Sequence, residues 1–261
     1  MLPPLAMPPP WPGGGTPYPS PSPLPNPARS KKGIPPWVWI LVGLGALSVL
    51  AVGGLVVLGL NQALTHDLLK ADFEKTAEPF HIGTQAGVEY GLVDGAYSIR
   101  QTESGSHVSV SFGEFRRPAY VVDLRSDVVA VAGQPLPTSV GLGCYNRKDP
   151  PDGYVLLAAP DGSKAAIGRR AAGGRDVTVL ATYTAPTGTA QPVTLLELRC
   201  AIDSPLGSGM HMTGSINGNV VVTASDSIGI GEFTGAALVM VADQLGAETR
   251  FDNVTATVPG E

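Results

Sequence analysis

The hydrophobic pattern changes period twice along the chain. From Trp37 to Leu60 it has no polar face: WVWILVGLGALSVLAVGGLVVLGL is 24 residues without a charge. At about 1.5 Å per residue, that run reaches roughly 36 Å as a helix, enough to cross a hydrocarbon core of about 30 Å. Trp37 and Trp39 stand at its entry, where indoles favour the headgroup interface. A cleaved signal peptide fits less well, because 36 residues precede the run and the following NQALTHD has no small-x-small cleavage site. Residues 61–78 then place Leu64, Leu68 and Leu69 at helical spacing, with Asp67, Asp72 and Glu74 on other faces. This predicts a helical stalk ended by Pro79.

After Pro79 the pattern alternates. Short runs rich in Val, Thr, Ile and Tyr, broken by Gly, Pro, Asn and Asp, predict strands at 96–101, 107–112, 119–129, 138–145, 154–159 and 165–170. Further strands follow at 176–182, 192–202, 210–216, 219–224, 236–242 and 249–258. Two turns are strong local signals: Asp161-Gly162 and Asn217-Gly218 each join alternating runs and tolerate the positive φ of a tight hairpin. Twelve strands with no amphipathic helix between them predict an all-β fold, two packed antiparallel sheets over residues 79–261.

Composition divides the chain the same way. Residues 1–36 hold fourteen of the 25 prolines and no acid, so this tail has little to bury and favours extended, disordered chain. Its PxxP spacing suits either a spacer or a ligand for an aromatic-lined groove on a cytoplasmic partner. Arg29, Lys31 and Lys32 are the only charges before residue 61, which places the N-terminus inside and the large domain outside the plasma membrane. Beyond residue 60, fourteen basic residues face all 22 acidic ones. A domain of that balance repels phosphate backbones, which excludes nucleic acid as a partner.

Cys144 and Cys200 each end an apolar strand on the predicted outer side, where disulfides persist. A bridge between them would close a loop of about 57 residues, worth roughly 4 kcal/mol in the chain-entropy model.

Residues 80–259 resemble the concanavalin A-like lectin/glucanase sandwich, in particular laminin-G-like modules. The resemblance rests on Gly141-Leu142-Gly143-Cys144 and on Gly153-Tyr154-Val155-Leu156 running into Asp161-Gly162. It continues through Ile216-Asn217-Gly218-Asn219-Val220, Asp226 with Gly229 and Gly231, and Phe251-Asp252-Asn253-Val254. Tail, anchor and domain together resemble an actinobacterial surface protein. The resemblance implies a jelly-roll of two curved sheets whose concave face or rim loops hold a ligand, and its relatives include lectins, hydrolases and structural modules.

Candidate chemistry is sparse. No strand carries the Glu-x-Asp-x-Glu pattern of hydrolases of this fold; Glu197 stands alone, and Asp123 and Asp127 are four residues apart. His66, His81, His107 and His211 lack metal-ligand spacing, and no nucleophile elbow or phosphate-binding loop occurs. No cofactor is called for. Calcium is a candidate at Asp149, Asp152 or Asp226, since rim loops of such sandwiches bind it with few side chains. All three tryptophans precede residue 40, so a sugar platform must come from tyrosine, and Tyr145 with Asn146 and Arg147 is the best candidate edge. The expected function is a non-catalytic recognition module for envelope glycan or another extracellular ligand. A structural subunit contacting envelope proteins is the alternative, and a degenerate sugar hydrolase the third. A polar–aromatic concavity would favour the first, a broad apolar patch the second.

Overall fold

The computed structural model describes residues 66–146, 151–171, 177–203 and 209–259. The proline-rich tail, the apolar run 37–60, and Arg147 and Asp149 lie outside these residues. Among the described residues no helix is long and apolar enough to cross a membrane.

These residues form fifteen strands: β1 (His66–Ala71), β2 (Gly83–Gln85), β3 (Val88–Val93), β4 (Ala96–Gln101), β5 (His107–Ala119), β6 (Val121–Val129), β7 (Ser139–Asn146), β8 (Asp152–Ala158), β9 (Lys164–Arg170), β10 (Val177–Thr184), β11 (Leu195–Ile202), β12 (Met210–Ile216), β13 (Asn219–Asp226), β14 (Phe233–Ala242) and β15 (Glu248–Val258). They build two antiparallel sheets. One runs β10-β9-β8-β7-β14-β5; the other runs β13-β12-β11-β6-β15-β4-β3-β2, with β1 also paired to β15. The expected two-sheet sandwich is therefore present. The expected strand at 119–129 is β6 alone, since β5 runs on to Ala119. Strands β2 and β3, and β1 before them, were not expected.

The core lies between the sheets. Inward residues alternate along β6 (Val122, Leu124), β11 (Leu196, Leu198, Cys200) and β15 (Phe251, Val254, Ala256), and meet Leu142, Tyr154, Leu156, Ile167 and Leu238 from the other sheet. The Cys144–Cys200 disulfide crosses this core from β7 to β11, with Cα atoms 6.6 Å apart. Within the core the Tyr97 hydroxyl donates to the His81 carbonyl and accepts from the Ser111 hydroxyl, so a buried phenol keeps its hydrogen bonds.

The helical stalk is corrected where it is described. Residues 66–71 form a strand that belongs to the sandwich, in register with Val254–Val258 of β15. A register shift between Asp67 and Leu69 explains the misleading spacing. A bulge puts one extra residue in the strand, so the adjacent Leu68 and Leu69 both become buried, a pattern strict alternation forbids. Phe73, Ala77 and Phe80 continue the burial, with Phe73 and Phe80 rings packed on Tyr97.

Candidate functional site

Four surfaces of the sandwich bear on the expected sites. The outward face of the six-stranded sheet holds the expected sugar edge. Tyr145 is only 2 % exposed, with Val155, Ala237 and Val239 buried beside it in a small cluster separate from the main core. Its ring lies over Gly143 and Gly153, where any side chain would collide with it: a Cβ on either would come within 2.4–2.5 Å of Tyr145 carbons. Phe112 meets the ring edge-on at 5.0 Å. Burial raises the Tyr145 phenol above its ordinary pKa, opposed by the charge and hydrogen bond of Arg170. Asn146 is also buried and donates to the Ile230 carbonyl at 2.6 Å. Tyr145 and Asn146 are thus structural, which corrects the expected sugar edge; β7 reads as half-exposed in sequence because its outward glycines hide the aromatic cover. Around them Val108 (57 %), Phe112 (39 %) and Val179 (57 %) stay exposed, leaving an apolar face.

At the rim, the calcium candidates Asp152 and Asp226 do come together, across the two sheets. Both face one arginine: Arg169 lies 3.1 Å from Asp152 and 3.8 Å from Asp226. Tyr154 donates to Asp226 at 3.0 Å and to the Ile228 carbonyl at 2.7 Å. The guanidinium supplies the positive charge a metal would bring. Asp152 in turn holds the Arg169 pKa above its usual range, while burial and the Asp226 bond push the Tyr154 phenol up. Among the described residues no group of three His, Cys, Asp or Glu gathers as metal ligands.

The nine-stranded sheet presents the polar face. Cross-strand register sets Asp123 opposite Arg199 and Arg125 opposite Glu197, at 3.4 and 3.6 Å, in a trough of ≈ 350 Å³ edged by Thr213, Ser215, Thr255 and Thr257. Asp123 and Glu197 line the same trough, each facing an arginine across the paired strands. Burial raises the Asp123 pKa, against the pull of Arg199. Asp127, the third carboxylate singled out, accepts from the Asn253 amide. Further along this face, His211 lies 2.7 Å from Ser225 and 2.9 Å from Asp203. Ser225, His211 and Asp203 thus form an open row on this face, with the His211 side chain 61 % exposed.

The fourth surface is where the two strong turn signals meet. Asp161-Gly162 and Asn217-Gly218 lie at one end of the sandwich, beside the edge strands β10 and β13, and enclose a cleft of ≈ 240 Å³. Three segments build it. The 159–163 turn is closed by Gly162 N–H to the Ala159 carbonyl, and Ser163 donates to the Asp161 carboxylate, which holds that carboxyl below its ordinary pKa. The 185–193 segment is tied back by Ala185 N–H to Ser163 and Val193 N–H to Pro160. Gly162 sits at φ +71°, and a Cβ there would fall 2.1 Å from the Gln191 carbonyl, so only glycine lets the turn reach this close.

Asn217 locks the third segment. Its Oδ1 accepts from Thr194 N–H, Thr194 Oγ1 and Leu195 N–H at 2.9–3.1 Å, and its Nδ2 donates to Pro192 at 2.9 Å. The result is a concavity walled by Tyr183 and Val221 and rimmed by the exposed Thr189, Gln191 and Asn219. This is the polar–aromatic surface that the sequence placed elsewhere. Tyr183 is one of six tyrosines in the domain, and the two turn dipeptides were the signal that could have singled it out.

No family model matches the chain, and no curated protein matches it. Solved structures do. A Bacillus subtilis protein of unknown function with a galectin-like fold is 9 % identical, over 74 % of this chain and 96 % of that one, at a TM-score of 0.51. The carbohydrate-binding module CBM66 from Bacillus subtilis is 15 % identical, over 75 % and 96 %, at 0.42. A PL-14 alginate lyase from Aplysia kurodai is 9 % identical, over 74 % and 100 %, at 0.47. The first of these likenesses gives the architecture: the described residues form a galectin-like sandwich.

Proposed function

We propose that this chain is a non-catalytic glycan-recognition module, anchored by residues 37–60 with its sandwich outside the cell membrane. The observation that carries the reading is the cleft at Tyr183. It offers an aromatic wall for the C–H face of a sugar ring, with amide and hydroxyl groups of Gln191, Asn219 and Thr189 at its rim for the ring hydroxyls. The names of the carbohydrate-binding module and the lyase among the solved structures agree with a glycan ligand but do not supply the argument. The proline-rich tail then engages a cytoplasmic partner.

Cosedimentation of the full chain in detergent with isolated cell envelopes tests this. Saturable binding that drops at least tenfold in Tyr183→Ala, and persists in Val108→Lys, supports the reading. Binding unaffected by Tyr183→Ala removes the cleft from it, and release of unsaturated or reducing sugar ends by the wild-type chain overturns the non-catalytic part.

The exposed apolar face around Val108, Phe112 and Val179 favours a second reading, in which the sandwich packs against an envelope protein with a matching apolar surface. Loss of envelope binding in Val108→Lys with Tyr183→Ala unaffected would select it.

A further inference from the structure

We infer that the Tyr183 cleft selects an uncharged sugar and rejects uronic, sulfated or phosphorylated residues. This rests on the glycan reading above and narrows its ligand class.

Two independent observations lead there. The first is the chemistry of the wall. The described residues that line the cleft are glycine, alanine, valine, isoleucine, threonine, asparagine, glutamine and tyrosine; none is charged. Thr189 donates its own hydroxyl proton to Pro186 at 2.8 Å, leaving its oxygen to accept. The Asn219 amide makes a long bond of 3.3 Å to the Asn217 carbonyl and is open to exchange it. These groups match hydroxyls, which both donate and accept, and bring no positive charge to offset the desolvation of a carboxylate. Asp161 and Lys164, in and just after the turn that forms one wall, are of opposite sign and interact with each other, and Asp161 is already held by Ser163. They provide no net positive field.

The second is the charge of the whole domain. The excess of acidic over basic residues beyond position 60 repels a polyanion before it reaches any cleft. No arginine among the described residues lines the cleft: Arg169 lies with Asp152 and Asp226, Arg199 with Asp123 and Arg125 with Glu197, all on other surfaces.

The test is calorimetric titration of the full chain in detergent with two matched panels. One holds neutral tetrasaccharides (cellotetraose, mannotetraose, galactotetraose, maltotetraose); the other holds tetragalacturonate and tetramannuronate. At least one neutral probe should bind tenfold or more tightly than either uronate, and lose tenfold or more in Tyr183→Ala. Gln191→Lys, an exposed change that leaves the fold alone, should narrow that preference at least threefold by supplying the missing counter-charge. Uronates binding as well as neutral probes, with the same dependence on Tyr183, overturns the selectivity and leaves glycan recognition standing. No binding to either panel by a chain with an intact disulfide and cooperative melting overturns the glycan reading itself.

Discussion

The carboxamide of Asn217 meets three donors and one acceptor of the 192–195 segment while its own backbone sits at φ 51°. Its roles separate by substitution. Asn217→Gly keeps the positive φ but deletes all four bonds and should cost about 2–3 kcal/mol in urea unfolding. Asn217→Ala adds backbone strain and should cost more. A loss in the alanine variant no larger than in the glycine variant would mean that the positive φ of the turn adds nothing beyond the four bonds of the amide. Alkaline stability is also set at single residues. Burial, the largest cause for both, raises the Tyr97 and Tyr154 phenols far above their ordinary pKa near 10. A folded pKa above the unfolded one means the native state keeps protons that the unfolded chain gives up. Stability from these two hydroxyls is therefore complete below about pH 10 and falls as pH rises beyond it. Tyrosinate absorbance should show two classes, one titrating freely and one appearing only with loss of native circular dichroism.

Strands β7 and β1 show why periodicity read some elements and misplaced others. On β7 the inward set Val140, Leu142 and Cys144 is plain in the sequence, but the outward positions are Gly141, Gly143 and Tyr145. An outward tyrosine after two outward glycines looks like an exposed platform. Its ring instead covers Gly143 and Gly153, a contact that only strand pairing with β8 brings together. Tyr145→Ala should therefore destabilise by about 3 kcal/mol in thermal melts, as a buried aromatic does. Tyr145→Phe, which loses only the Arg170 interaction, should cost under about 1 kcal/mol. Equal effects would place the stabilisation in the hydroxyl. On β1 the error ran the other way. Leu68 and Leu69 fit a helix because a bulge hides the two-residue period, and nothing local announces that its partner is β15, nearly two hundred residues on. By contrast, the turns at Asp161-Gly162 and Asn217-Gly218 were legible because glycine at positive φ is a local requirement. That they would meet and shape one cleft is a long-range fact that no single hairpin carries.

At the scale of the molecule, the two sheets and the disulfide were readable from alternation, turn spacing and cysteine placement. The assignment of strands to sheets was not, because neighbours such as β6 and β15 are distant in sequence. The Cys144–Cys200 bridge joins the middle of one sheet to the other through the core. Reduction should remove about 4 kcal/mol and lower the melting temperature by roughly 10 °C, with the reduced form still folding cooperatively. An unchanged melting temperature after verified reduction would mean that the apolar core alone fixes the sheets.

The pairing of His66 with Val258 has one more consequence. The chain enters and leaves the sandwich on neighbouring strands, so the fold is a cassette: its ends can be joined by a few residues and a new opening made at the Gly133 turn, whose surroundings are empty. The same adjacency lets the sandwich be spliced into a loop of another protein and presented there with its cleft intact, since neither manipulation touches the turns that form it.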